Sequence, residues 1–204
     1  SDTRAKLRHF FEVDRRWVAL AALKPVRTDV EIMANADACR INPKFADVII
    51  PVEWVQDKRT IAKTKETLRR AAATFAAERL LMIFPSGALA QMRDGKLTDE
   101  PWLPTAVTLA RKNKAPLTPL HINGRNSALY YRFCNINREL RDITLFHELL
   151  NKQGDKFHLT FGRQIPWEQL AGDPQAVTDH VRNYVENILP NDPERPFEPL
   201  NTAG

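Results

Sequence analysis

The chain predicts an α/β fold: a single domain with a mostly parallel sheet flanked by helices on both faces. Two observations carry that reading. Short β-branched and apolar runs alternate with amphipathic stretches of roughly ten to twenty residues, the pattern of strand–helix–strand units. Two of the apolar runs also stop abruptly at residues that break regular structure, Phe84-Pro85-Ser86-Gly87 and Asn123-Gly124-Arg125-Asn126-Ser127. Two buried strands delivering special loops to one edge of a sheet read this way, and such edges are where open α/β folds place their sites.

The elements follow in order. Arg15 to Leu23 reads as a helix with Trp17, Val18, Leu20 and Leu23 on its apolar face, stopped by Pro25. Val30–Met33 and Val48–Val55 read as strands, and Pro51 marks the second as an edge or a bulge. Lys58 to Arg79 is the strongest helix signal: Ile61, Leu68, Ala72 and Phe75 recur at helical spacing and are expected to face the core. Lys58, Lys65, Arg69 and Arg79 are left for the opposite faces. Strand Leu80–Phe84, helix Pro104–Asn113 and strand Leu117–Ile122 come next. Arg138 to Lys152 is a further helix, bearing Leu140, Ile143, Phe146 and Leu150. In Phe157–Phe161 the large apolar side chains alternate with His158 and Thr160, the mark of a half-buried strand. Pro174 to Leu189 closes the domain, expected over residues 1–189, and the Pro-rich stretch Pro190–Gly204 is expected to be an extended tail.

At 204 residues and 43% hydrophobic content the chain suits one domain with a proper core. A net charge of +5, with 30 basic residues interspersed among 25 acidic ones, lacks the concentrated charge of a nucleic-acid binder. Cys39 and Cys134 are far apart and form no C-x-x-C, so a disulfide scaffold and a structural zinc site are not expected, in keeping with a cytoplasmic setting. His121, His147, His158 and His180 show no metal-ligand spacing. No segment approaches the ~20 apolar residues that span a bilayer, and Ser1 to Arg8 is too polar for a secretory signal. Phe10, Phe11 and Trp17 lie among Arg4, Arg8, Arg15 and Arg16, a combination that suits either a membrane interface or core packing.

Several motifs bear on chemistry. His9 and Asp14 are spaced as H-x-x-x-x-D, and Phe84-Pro85-Ser86-Gly87-Ala88 follows a strand. Asp99-Glu100-Pro101-Trp102, Ala115 to Leu120, Gly124 to Leu129, Leu140-Arg141, His147 to Lys152 and Phe157 to Gly162 then succeed one another in a fixed order. Over Asp14 to Pro166 this order resembles the glycerolipid and lysophospholipid acyltransferases. It is most similar to the bacterial branch related to ornithine-lipid synthases and once described as haemolysins.

The resemblance implies transfer of a fatty acyl group from acyl-CoA or acyl carrier protein to a lysophospholipid or polar lipid precursor, at the inner face of the cell membrane. His9 would take the acceptor's proton and Asp14 would orient the imidazole. Phe84, Pro85, Ser86 and Gly87 would help to hold the acceptor. Ser86, Leu89 and Ala90 stand where the family's FPEGTRS loop has an acid, an arginine and a serine, which argues against a simple glycerol-3-phosphate acceptor. Gly124 and Arg125 could offer an amide and a guanidinium to a phosphate or carboxylate, and Lys58 and Arg59 could meet an anionic head group. No metal or bound cofactor is implied, because the thioester already carries the activated acyl group. Implied partners are the lipid acceptor, the thioester donor (an acyl carrier protein among them) and an anionic membrane, with no nucleic acid.

Plainer readings stand beside these. His9 suits an ordinary surface helix, Phe84–Ala88 a strand-ending turn, and Gly124-Arg125 a tight turn with a solvated arginine. A non-catalytic lipid- or partner-binding protein that keeps the acyltransferase fold would show the same features.

Overall fold

A computed structural model describes residues 27–36, 46–53, 57, 60–88, 90–134, 136, 144, 148 and 156–200. The expected helix at Arg15–Leu23 and most of that at Arg138–Lys152 lie outside these residues. The chain divides into two compact units: Ser1–Phe84 with Ala88–Thr98 and Arg125–Asp155, and Pro85–Gly87 with Asp99–Gly124 and Lys156–Gly204.

The first unit is built on a three-stranded parallel sheet in the order β2-β1-β3, where β1 is Val30–Asn35, β2 Ile49–Val52 and β3 Leu80–Met82. β1 is the central strand, and Val30, Ile32, Met33 and Ala34 are all buried, as a strand covered on both faces requires. Its register sets Ile32 beside Ile49 and Ala34 beside Pro51 on one side, and Val30 beside Leu80 on the other. Pro51 thus lies on an edge strand of this sheet, where a missing N–H costs no ladder bond. Glu31, the acid within β1, is buried; it accepts from the Thr74 hydroxyl and pairs with Arg79.

Helix α1, Ile61–Ala76, joins β2 to β3 and packs against both. It starts at Thr60, whose hydroxyl accepts from the Lys63 N–H at 3.2 Å, a side-chain N-cap. Its buried residues are Thr67, Ala71 and Thr74. The expected apolar face is therefore corrected: Ile61 is 78% exposed and Leu68 44%. The reason is polar as well as steric. Thr67 donates to the Pro51 carbonyl at 2.7 Å and Thr74 to Glu31, bonds that larger apolar residues could not make at this short approach.

Two elements of this unit were not anticipated. β4, Gln91–Arg93, and β5, Lys96–Thr98, form an antiparallel hairpin through Asp94-Gly95, both at positive φ, 50° and 74°. That is the two-residue turn whose twist matches paired strands. Helix α2, Ala128–Cys134, packs Tyr130 and Tyr131 with Met92 and Leu97 of the hairpin.

In the second unit β6, Leu120–Asn123, pairs antiparallel with β7, His158–Phe161. The expected strand Leu117–Ile122 is interrupted at Pro119, which has no N–H to give although its carbonyl accepts from the Gly162 N–H at 2.9 Å; beyond it Leu117 pairs with Ile165, one residue out of register, their amides bonding each other's carbonyls at 2.9 and 2.8 Å. Helix α3, Thr105–Lys112, and helix α4, Pro174–Asn183, enclose a core of Val107, Ile165, Leu170, Val177, Val181 and Leu189. Asp173 caps α4 by accepting from the Gln175 and Ala176 amides, with Pro174 in its favoured first-turn position. A π-helical turn, Tyr184–Ile188, extends α4. Residues 193–200 form no helix or strand, but Phe197 is buried against Tyr184 and His180.

The protein is thus α/β with mixed strand directions. The described strands form one parallel sheet and two antiparallel pairs, not the single sheet expected, and β3 and β6 belong to different ones. Periodicity locates a strand and its faces, but it carries no information about which neighbour the strand pairs with or in which direction.

Candidate functional site

The loop after β3 contains Phe84, Pro85, Ser86 and Gly87, all half-buried. Gly87 has φ 65°, the left-handed region that a glycine enters without steric cost. The Pro85 carbonyl accepts from the Leu103 N–H at 3.0 Å, which anchors the loop within its unit.

The loop after β6 is fixed more heavily. At Gly124 a Cβ would lie 3.2 Å from two ring carbons of Phe157, so the glycine allows the aromatic ring to approach the backbone. Arg125 is exposed, and Asn126 beside it is 7% exposed. The Asn126 N–H donates to the Tyr131 hydroxyl at 3.1 Å, while its Nδ2 is buried without a hydrogen-bond partner among the described residues. Ser127 donates twice to Glu148, from its N–H to Oε2 at 2.7 Å and from its hydroxyl to Oε1 at 2.5 Å. The same hydroxyl accepts from the Tyr130 N–H at 3.2 Å and so caps α2. Glu148 is fully buried, 0% exposed, and hydrogen bonds to both oxygens are what such a carboxylate needs.

Of the predicted residues, Pro85, Ser86, Gly87 and Gly124 fall in one unit, and Phe84 and Arg125 in the other. His9, Asp14, Lys58 and Arg59 lie outside the described residues. Sequence reasoning missed Ser127 and Glu148 as partners. A serine just before an apolar run is an N-cap signal, but nothing local to Glu148 announces a contact made across 21 positions.

His121 on β6 is half-buried, and burial holds its imidazole below the ordinary value of 6.5, with Glu186 opposing the shift.

The sequence pattern of the family described as acyltransferase matches residues 27–189. Among curated proteins, the chain is 29% identical over 130 residues to a lyso-glycine lipid O-acyltransferase of Phocaeicola vulgatus, covering 61% of this chain and 45% of that one. It is 25% identical over 151 residues to a lyso-glycine lipid O-acyltransferase of Bacteroides thetaiotaomicron, covering 71% and 53%. The chain spans about half the length of these curated relatives. A match of 88% identity to a pyruvate dehydrogenase E1 component of Cupriavidus necator involves only 24 residues and 3% of that protein, too little to bear on function. No solved structure matches the chain.

Proposed function

The chain belongs to the acyltransferase family, and from that membership we propose that it transfers a fatty acyl group from acyl-CoA or acyl carrier protein to a lysolipid or polar lipid precursor. The observation that carries the proposal is the extent of the family match, residues 27–189, which takes in both irregular loops and most of the chain. The names of the two relatives favour O-acylation of an amino-acid-headed lysolipid over acylation of glycerol 3-phosphate. Ser86 and Leu89, in place of the family's acid and arginine, together count against glycerol 3-phosphate as the acceptor.

In this reading residues 1–189 make up the acyltransferase domain and Pro190–Gly204 its tail. The acceptor hydroxyl gives its proton to the His9 imidazole, held in the right tautomer by Asp14, as its oxygen attacks the thioester carbonyl. The new C–O bond forms, the C–S bond breaks, and the leaving thiolate takes up the proton. Amides around Gly87 position the acceptor or the developing oxyanion. Gly124, Arg125, Lys58 and Arg59 meet its anionic head group. No helix among the described residues is long and apolar enough to cross a membrane. The setting proposed with this reading is peripheral contact with the anionic inner face of the cell membrane, with the +5 net charge aiding attraction.

A second reading, a non-catalytic lipid-binding protein, is favoured by one observation: Ser86, Leu89 and Ala90 replace the polar and charged residues of the family's loop. Thiol release from acyl-CoA and acyl carrier protein, measured with amino-acid-headed, phosphate-headed and zwitterionic lysolipids, separates the two. Acceptor-dependent release supports the enzyme. Lipid binding without release from either donor supports the alternative.

A further inference from the structure

Arg125 is an exposed cation on a loop, and a guanidinium on a loose loop would read a ligand's charge poorly, since ordering it on binding costs affinity. The residues that follow it are not loose. Asn126 is tied through its N–H to Tyr131, and Ser127 is tied through both its N–H and its hydroxyl to Glu148. Glu148 is fully buried and Tyr130 is 1% exposed, so the tie is made to the interior of the unit. A buried carboxylate that accepts two hydrogen bonds from one residue holds it far more firmly than a surface ion pair would. The Asn126 Nδ2, buried and without a hydrogen-bond partner among the described residues, is a donor that an acceptor oxygen would satisfy.

We infer that Glu148 is a positioning residue: through Ser127 it fixes the Arg125-Asn126 segment as the reader of an anionic group on the lipid acceptor. This rests on the acyltransferase reading and deepens it by naming what selects the acceptor. The chemistry recognised is an anionic oxygen, and it is shared by a carboxylate head and a phosphate head.

The test compares wild type with Arg125→Ala, Ser127→Ala, Glu148→Gln and the double variant Arg125→Ala/Glu148→Gln. Acceptors are a glycine-headed lysolipid with a free carboxylate, lysophosphatidic acid, and an uncharged monoacylglycerol. Arg125→Ala raises KM for whichever anionic acceptor is the true class by about tenfold or more, the loss expected for a hydrogen bond to a charged group. Ser127→Ala and Glu148→Gln raise the same KM severalfold, and more than they raise it for the uncharged acceptor. In the Arg125→Ala background Glu148→Gln raises that KM by less than it does in wild type, because of the reading pair it positions only Asn126 remains. Equal losses of kcat with all three acceptors, additive with Arg125→Ala, would mean that Glu148 only supports the fold and would overturn the inference. Should wild type transfer no acyl group at all, the enzymatic reading fails by itself, and the inference is then read from micelle binding of the same lysolipids. Weaker binding of an anionic lysolipid by Arg125→Ala and Glu148→Gln upholds it, and equal binding by all variants overturns it.

Discussion

Gly124→Ala is the sharpest test of why the loop after β6 begins with glycine. No positive φ demands a glycine there; the constraint is the Phe157 ring, 3.2 Å from where the Cβ would sit. Carbon atoms rest at about 3.5–4.0 Å, so the ring must retreat by roughly 0.3–0.8 Å. Overpacking of this kind costs about 1–3 kcal/mol, and Phe157 is only half-buried, which places the cost near 1.5 kcal/mol. Alanine also restricts the unfolded chain, a gain of about 0.4–1 kcal/mol wherever the backbone tolerates it. The expected net loss is therefore about 1 kcal/mol in the wild-type background. In a Phe157→Ala background the clash disappears and only the gain remains, so Gly124→Ala should stabilise by about 0.5 kcal/mol. Urea unfolding of the four proteins in this cycle gives the coupling directly, about 1–1.5 kcal/mol. Zero coupling, with Gly124→Ala equally costly in both backgrounds, would refute the packing explanation and leave a backbone requirement as the reason for glycine.

Two further outcomes follow from the second unit. His121 is held neutral by burial, so the unfolded chain takes the proton first. The stability it contributes is full above the ordinary value of 6.5 and is lost as pH falls through it toward the depressed folded value, and His121→Gln should flatten the stability curve over that interval. Phe197→Ala should destabilise by about 3 kcal/mol and lower Tm by roughly 6–12 °C, since the ring is 6% exposed between Tyr184 and His180. A change of a degree or less would show that residues 193–200 are only loosely laid on the unit.

What the sequence made legible were features with local causes. β2, β3, α1, α3, α4 and β7 lie within the stretches expected, and β1 starts at Val30 as expected but runs on to Asn35; hydrophobic periodicity and N-caps such as Thr60 and Asp173 act over a few residues. The positive φ of Gly87 was legible from Pro-Ser-Gly at a strand end. Asp94-Gly95 carries a short-range hairpin signal too, but its strands are only three residues each, too short to show a periodicity.

What was not legible depends on long-range partners. Apolar periodicity gave α1 the wrong inner face, since Thr67 and Thr74 are buried by hydroxyl bonds to the Pro51 carbonyl and to Glu31, a residue 43 positions away. The antiparallel pairing of β6 with β7 has no local signature either. Glu148 reads in sequence as one more acid on a helix, and only its burial against Ser127 distinguishes it.

The central claim is acyl transfer to a lipid acceptor with His9 as base, and one measurement bears on it most directly. Thiol release from an acyl thioester is followed in the presence of the best lysolipid acceptor, for wild type, His9→Ala and Asp14→Asn. Removing a positioned general base should slow release by roughly 10²–10⁴-fold, and Asp14→Asn should impair turnover as well, while lipid binding survives both changes. Turnover in His9→Ala equal to that of wild type would contradict the account.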